Sequence, residues 1–387
     1  MMPDERFDDR FIPIRYHELA AALAESLDAD RRESFLDVAD AVHDVIVQET
    51  STFRTRLADD YAAFNPDRDT ITRHEAAPAE RDAAYSSLID RLRYLLTKAN
   101  FVEVTEDELR EAMDEANSQG LRLVLDRSRI DDLRLFFRGR GTVPRTQRYW
   151  RTWWRAREVE VPVFRRFAVL VKLRDAPWLL LKLFKNIPRM DIEALLPHAR
   201  VAMNLLDRIK VAGSGSTAIA SSAYKLIFAL SQWSLLTWTL IVAAGVATIR
   251  TISGYKAVKT QRDAIRTRNL YFQNLDNNAG VIHALAAMVC EEEAKEALLA
   301  YAFCLTADPP LRDTDELDNR IESFLKTHFS VEPNFEIADA VETLSRLRLH
   351  VNHDALIVHE PDEAAMRLVE HWQTRATVDY HEMMTTH

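Results

Sequence analysis

Glycine, proline and cysteine are all scarce in this sequence, which has 8 Gly, 13 Pro and 2 Cys among 387 residues. Together with a hydrophobic content of 47%, this scarcity excludes a collagen-like or disordered chain. The length fits two or three globular units. A single pair of cysteines, Cys290 and Cys304, cannot form the disulfide scaffold of a small secreted domain, so we expect a reducing compartment.

The sequence also lacks the short motifs of the common enzyme classes. It contains no Walker loop and no GxGxxG, GxSxG, CxxC or HExxH motif. We therefore predict no cofactor and no metal, and we identify no catalytic residue. The sequence favours a non-enzymatic protein, and catalysis without a known motif stays open.

Positive and negative charges are segregated along the chain. Residues 1–133 carry a net charge of −14, residues 134–210 of +12, residues 211–290 of +5 and residues 291–387 of −13. The basic middle is rich in Trp and Phe. Basic residues interleaved with aromatic rings suit an anionic lipid surface or a nucleic acid.

One basic and aromatic stretch, residues 145–157, concentrates this pattern. We predict that it contacts a membrane surface, with its rings at the level of the lipid headgroups. A β-loop whose Trp side chains pack into the core is the alternative. The candidate membrane-surface residues are Arg148, Trp150, Arg151, Trp153, Trp154 and Arg155.

An uncharged run of 24 residues, 226–249, decides between the two kinds of partner. As a helix it would extend roughly 36 Å, enough to cross a hydrocarbon core of about 30 Å. We predict a transmembrane helix, or a helical hairpin that begins near residue 211 and keeps both basic flanks in the cytoplasm. A buried core helix is the alternative. The basic juxtamembrane residues that follow are Arg250, Lys256, Lys259 and Arg262.

Apolar residues at helical spacing predict helices in the first part of the chain. The pattern is clear in 35–46 and in 88–96, where polar residues separate the apolar positions. Thr105 and Glu108 form a capping box for a further helix. Residues 1–119 are therefore predicted to form an acidic helical domain.

After residue 120, short runs of β-branched and aromatic residues replace the helical pattern. They predict a small antiparallel sheet. Pro188 is expected to end its last strand, and Asp191 to cap a helix that follows. Residues 120–210 are thus predicted to form a basic, aromatic-rich β domain.

The C-terminal part of the chain has the element order of a winged helix, with three helices followed by two short strands. In DNA-binding versions the third helix enters the major groove and needs basic side chains. Here that helix carries Glu336, Asp339 and Glu342. We therefore expect a module that contacts proteins and not DNA.

Amide side chains cluster just after the basic juxtamembrane run, where they oppose helix formation. Such a local conflict often marks a functional site. These residues are candidates for a polar interface site that binds a partner or a lipid headgroup. The interpretation that the sequence favours is a capped turn beside a solvated glutamate run that pairs with Lys295. The candidate residues are Gln273, Asn274, Asp276, Asn277, Asn278 and His283.

Four parts of the sequence carry motifs that match one known family. They are RFIP at 10–13, FFRGRG at 136–141, KLFKNIPRMDIEALLP at 182–197, and LYFQNLDNNAGVIHAL with EEEAKEALLAY at 270–301. These motifs resemble an uncharacterised family of membrane proteins, a domain-of-unknown-function family that includes the mitochondrial transmembrane protein 143. The resemblance implies one or two spans and no known activity. Because no transit peptide precedes the first motif, we expect a protein of the bacterial inner membrane.

These observations predict a membrane-anchored α+β fold that is mainly α. Its predicted parts are the helical domain at 1–119, the β domain at 120–210, a transmembrane helix or hairpin at 211–268, and a helical motif with a winged-helix-like module at 269–387. The leading hypothesis is a non-enzymatic adaptor or scaffold at the cytoplasmic membrane face, which binds the bilayer and protein partners or itself. Two alternatives stay open: a lipid-handling protein or membrane-linked enzyme that uses the cluster at 274–278, and a membrane-tethered winged-helix regulator.

Overall fold

The fold is taken from a computed structural model, which describes only part of the chain. The described residues are 10–68, 78–105, 107, 122–124, 129–148, 156–174, 176–189, 192, 200–202, 273–311, 313–352 and 356–385. The chain divides into two compact units. The first comprises residues 1–104, 131–186 and 276–387, and the second comprises residues 105–130 and 187–275. The domain boundaries predicted from the sequence stay predictions.

The described residues contain seven helices. They are α1 (Tyr16–Glu25), α2 (Arg32–Ala62), α3 (Pro78–Lys98), α4 (Ala279–Leu305), α5 (Thr314–Phe329), α6 (Ile337–Arg346) and α7 (Pro361–Thr385). The helical spacing of apolar residues is confirmed in α2 and α3, where the periodic positions are the buried ones. These residues are Phe35, Val38, Val42, Val45, Ile46, Leu88, Leu92, Leu95 and Leu96.

Helix α4 lies at the centre of the first unit and packs against α1, α2, α3, α5 and α6. Its N-terminal half belongs to an apolar cluster with α3 and part of the sheet, and its C-terminal half to a second cluster with α1, α2, α5 and α6. Every residue from 294 to 302 is buried. A helix buried on all sides is expected to be apolar all around, and α4 is largely so.

Nine strands form three sheets in the described residues. They are β1 (Val102–Glu103), β2 (Arg122–Val124), β3 (Ile130–Arg148), β4 (Ala156–Leu173), β5 (Leu179–Pro188), β6 (Arg200–Ala202), β7 (Asn274–Asn277), β8 (His350–Asn352) and β9 (Ile357–Val358). The largest is a five-stranded antiparallel sheet in the order β1-β3-β4-β5-β7. The prediction of an α+β fold with an antiparallel sheet is confirmed.

The strands of the largest sheet agree with the sequence pattern in part. Strand β4 is a single strand of 18 residues, longer than the short runs that the sequence pattern predicts. Strand β5 ends at Pro188, as expected for a residue that cannot donate to a ladder. At the other edge, Val102 of β1 lies opposite Phe137 of β3.

The second unit contains one small sheet in its described residues. Strands β2 and β6 pair antiparallel, with Leu123 opposite Val201. The helix expected after Thr105 and the helix cap expected at Asp191 lie outside the described residues.

The C-terminal part contains the predicted order of elements. Helices α4, α5 and α6 are followed by the antiparallel pair β8 and β9, and residues 353–355 of the connecting turn lie outside the described residues. Helix α7, which we did not predict, follows this hairpin and packs against α2.

The membrane prediction is contradicted. Among the residues that the structure describes, no helix combines the length and the apolar character that crossing a bilayer requires. The most apolar long helix, α4, is interrupted by the charged run 291–296. The predicted membrane-anchored fold, with its transmembrane helix or hairpin and its location in the bacterial cytoplasmic membrane, is therefore wrong on this finding. The segment 226–249 itself lies outside the described residues, as do Arg250, Lys256, Lys259 and Arg262.

Candidate functional site

The amide cluster predicted as an interface site forms strand β7 and the residue that precedes α4. Exposure alternates along β7: Asn274 and Asp276 are half-buried, whereas Asn277 is exposed. Gln273 is half-buried, and His283, on the first turns of α4, is exposed. The structure therefore does not gather the six residues into one pocket.

Asn278 is the buried member of this cluster, and protein groups surround its side chain. Its Oδ1 accepts a hydrogen bond from the N–H of Leu181 at 3.3 Å, and its Nδ2 donates to Asp67. Its own N–H donates to the carbonyl of Leu181 at 2.8 Å. The hydroxyl of Tyr61 lies 3.3 Å from Oδ1 and donates to the carbonyl of Leu179 at 2.7 Å. Asn278 thus ties the start of α4 to β5 and to the end of α2.

These contacts use both polar atoms of the Asn278 side chain within the protein. An amide already engaged by the protein has little left to offer a ligand, and this side chain makes no capping hydrogen bond to α4. The interface prediction stays a prediction for the exposed Asn277 and His283.

A second set of polar side chains lies within α4, where we had expected a solvated run. Glu292 is 1% exposed and Lys295 is 0% exposed. The Nζ of Lys295 lies 2.8 Å from Glu292 Oε1 and donates to the carbonyl of Ile12 at 2.8 Å. The N–H of Ile12 donates to Glu292 Oε2 at 3.0 Å. Glu292 and Lys295 therefore bind the N–H and the carbonyl of Ile12, and Ile12 precedes Glu292 by 280 positions. We call this pair the α4 clamp.

Three cations surround the ring of the neighbouring Phe11. The distances to its centroid are 4.7 Å for the Cζ of Arg138, 4.7 Å for the Cζ of Arg165 and 4.8 Å for the Nζ of Lys295. Cations over an aromatic face are attracted by its quadrupole. Arg138 is 2% exposed and also donates to the carbonyl of Ala99 at 3.4 Å. Three of the segments that carry the family resemblance, at 10–13, 136–141 and 291–301, therefore meet here.

Burial shifts the ionisation of the carboxyl groups on α4. Burial raises the pKa of Glu292, although Lys295 and the N–H of Ile12 lower it. Burial also raises the pKa of Glu296 well above its usual value, and the nearby carboxylates of Glu292 and Asp339 raise it further. This part of α4 therefore favours neutral carboxyl groups or closely paired ones.

An ion network links α2, α3, α4, α6 and α7. Arg346 pairs with Glu49 and lies 3.1 Å from Glu293, and His371 Nε2 lies 3.1 Å from Glu49. Lys98 pairs with Asp339 at 3.3 Å and with Glu342 at 3.4 Å. We call these seven residues the helix network.

Within the helix network, Glu293 has a pKa that is shifted toward neutrality. Burial raises the pKa of Glu293 to about 7; Lys98 lowers it, and Asp339 and Glu342 raise it. A group with a pKa near neutrality can act as an acid or a base, or it can make stability depend on pH. Because the surrounding groups already pair with one another, stability is the role that the geometry favours.

Helix α7 presents a different kind of surface. Its buried positions, Pro361, Ala364, Leu368 and His371, face the protein interior and α2. Elsewhere on the helix, Met366 is 66% exposed, Val369 is 50% exposed and Trp372 is 44% exposed. Asp362 and Glu370 lie four residues before and four after Met366, and both are exposed. We call Asp362, Met366, Val369, Glu370 and Trp372 the α7 outer face.

The predicted membrane-surface patch lies outside the described residues. Arg148 ends β3, but its side chain and residues 149–155 lie outside the described residues, so the membrane-surface patch cannot be placed. Within the described ranges, no group of three His, Cys, Asp or Glu side chains could hold a metal ion. The buried charges of α4 and the outer face of α7 gave no sequence signal, because periodicity shows neither long-range partners nor which apolar positions stay uncovered.

The fold and these clusters describe an α+β protein whose buried polar groups hold its own segments together. Residues 156–280 match the family described as Protein of unknown function (DUF3754). The match runs from β4 to the start of α4, and so it includes the candidate residues from Gln273 to Asn278 but not His283. It is consistent with an uncharacterised family. No solved structure matches the chain.

Proposed function

We propose that this protein is a non-enzymatic adaptor that binds another protein through the α7 outer face. The observation that carries the proposal is the exposure of three large apolar side chains, Met366, Val369 and Trp372, on one side of one helix. Exposed apolar residues scattered singly are ordinary, whereas several together favour an interaction surface. Trp is also the residue type most enriched among those that dominate binding energy.

The opposite side of α7 supports this proposal, because it fixes the position of the helix. Ala364 and Leu368 are fully buried in the apolar cluster shared with α1, α2 and α4. His371 adds a polar contact to Glu49 of α2. A surface held on a rigid element binds with less loss of conformational entropy than a mobile one.

The two alternative functions have less support in the geometry. A lipid or substrate site at 274–278 would need the amide of Asn278, which Leu181 and Asp67 already engage. A DNA-binding winged helix would need free basic side chains on α6, but Arg346 pairs with Glu49 and Glu293. We therefore prefer protein binding.

The test compares association of the full chain with that of two variants. Trp372→Ala removes the largest apolar side chain of this face, and Val47→Ala serves as the control because Val47 is 41% exposed on α2. We expect Trp372→Ala to weaken partner binding or self-association by tenfold or more, about 1.4 kcal/mol or greater, and Val47→Ala to leave it unchanged. Sedimentation velocity measures self-association, and calorimetric titration measures binding to a purified partner. Equal binding by all three proteins would contradict the proposal.

We also propose that the chain is related to the family that includes the mitochondrial transmembrane protein 143. Support comes from the motifs around Phe11, Arg138 and Lys295, which build one buried cluster from distant parts of the chain. Residues that form one cluster are expected to be kept or lost together in relatives. An alignment in which these three positions vary independently would contradict the relationship.

A further inference from the structure

We infer that the α7 outer face binds a basic amphipathic helix. This inference rests on the proposed adaptor function and specifies its partner. The observation behind it is that the apolar side chains of this face are flanked by two exposed carboxylates, those of Asp362 and Glu370.

The spacing on α7 places charge and apolar surface side by side. Asp362, Met366 and Glu370 are four residues apart, so they form one ridge along the helix. Met366, Val369 and Trp372 are three apart and form a second ridge that crosses the first at Met366. The apolar ridge therefore meets a carboxylate on each side of Met366.

Among the side chains that the structure describes, none neutralises these two carboxylates. No ion pair joins Asp362 or Glu370 to another residue within the described ranges, whereas Glu363 pairs with Arg367 at 2.8 Å. The whole C-terminal segment, 291–387, carries a net charge of −13. Charge complementarity therefore favours a cationic partner, and it disfavours a second copy of this face, which would bring like charges together.

The chemistry of the ridge favours a helix as the partner. The main-chain groups of α7 are used within the helix, so this surface cannot add a strand to a sheet. Met side chains are flexible and polarisable, and surfaces that contain them adapt to the apolar stripe of amphipathic helices. A helix with apolar residues three and four apart, bordered by Lys or Arg, matches both ridges.

The test titrates the full chain with labelled synthetic peptides of about 18 residues, long enough for about five helical turns. One peptide has a Leu stripe bordered by Lys, and a second has the same Leu stripe bordered by Glu. We expect the Lys peptide to bind at least about tenfold more tightly by fluorescence anisotropy, and its affinity to fall as salt is raised.

Variants locate the binding on α7. Trp372→Ala should weaken the Lys peptide by tenfold or more, and the double change Asp362→Asn with Glu370→Gln should weaken it by about threefold to tenfold and reduce its salt dependence. The matched control is Glu33→Gln with Asp37→Asn, which neutralises two exposed carboxylates on α2. The control should leave the affinity unchanged.

The outcomes separate this inference from the proposed function. If both peptides bind equally, or if the control weakens binding as much as the α7 changes do, the inference is overturned and the adaptor proposal stands. If neither peptide binds while Trp372→Ala still abolishes association of the full chain, the inference alone fails. If Trp372→Ala changes neither peptide binding nor association, both fail.

Discussion

Lys295 is the residue on which the contacts of the N-terminal segment depend. Its ammonium group is completely buried and contacts Glu292, the carbonyl of Ile12 and the ring of Phe11. A buried charge is tolerated only when such partners replace its lost hydration. Removing the charge would leave Glu292 buried without its cation.

Lys295→Met is therefore expected to lower the free energy of unfolding by about 3–5 kcal/mol. Urea unfolding of the full chain, followed by circular dichroism, measures this change. The control is Lys326→Met, which removes a Lys whose pair with Glu332 is exposed, and we expect it to cost less than about 1 kcal/mol. Equal losses in the two variants would show that the buried pair contributes no more than a surface pair.

A second prediction at the residue scale concerns Glu293 and the pH dependence of stability. Its pKa is raised from 4.5 to about 7 in the folded protein, so the folded state holds the proton more tightly than the unfolded state does. The stability gained in this way is complete below pH 4.5 and is lost as the pH rises to 7. The loss is up to about 3 kcal/mol.

Glu293→Gln should remove this part of the pH dependence. Unfolding free energies measured at intervals from pH 5 to pH 8 should fall less steeply in the variant than in the unchanged protein, because Gln does not titrate. Glu18→Gln, at an exposed position of α1, should leave the slope as it is. A slope that is the same in all three proteins would rule out Glu293 as its source.

At the scale of elements, the junction between β7 and α4 is held by one side chain and one unusual backbone angle. Asn278 has φ of 50° and ψ of −124°, a positive-φ conformation that Gly adopts most readily. Its amide bonds to Leu181 of β5 and to Asp67 after α2. The residue therefore contributes both to the turn and to the packing of three elements.

Two substitutions separate these contributions. Asn278→Gly keeps the backbone angle accessible and loses the side-chain bonds, whereas Asn278→Ala loses both. We expect unfolding free energies lower by about 2 kcal/mol for Asn278→Gly and by about 1 kcal/mol more for Asn278→Ala. Asn277→Ala, at an exposed position, should leave stability unchanged. An Asn278→Ala protein as stable as the unchanged one would show that these side-chain bonds do not hold the junction together.

The elements also show what the sequence could predict. Helices α2 and α3 and the antiparallel sheet were predictable, because each buries a face whose apolar residues repeat at the period of that element. Helix α7 was missed because its buried stripe is sparse and includes Pro361 and His371. The burial of Glu292 and Lys295 could not be predicted, since their partner Ile12 is near the other end of the chain.

At the scale of the whole molecule, the two ends of the sequence contribute to one compact unit. The sequence suggested an acidic helical domain at one end and a winged-helix-like module at the other. In the structure, residues 1–104 and 276–387 belong to the same compact unit. Phe35 of α2 stacks on Tyr301 of α4 at 6.1 Å, and α1 and α2 bury their apolar faces with those of α5 and α6.

A shared core predicts that the C-terminal part will not fold when it is separated from the rest. In a fragment of residues 273–387, α4 would expose the side chains that α1 and α2 cover, and an apolar surface of that size costs more than so small a core can offset. We expect the fragment to lack a cooperative urea transition, and we expect coexpression with residues 1–104 to yield a complex that unfolds cooperatively. A fragment that unfolds cooperatively at the same urea concentration as the full chain would show instead that the module is independent. In that case the fragment could be used to measure DNA binding. If the fragment does not fold, DNA binding has to be measured with the full chain.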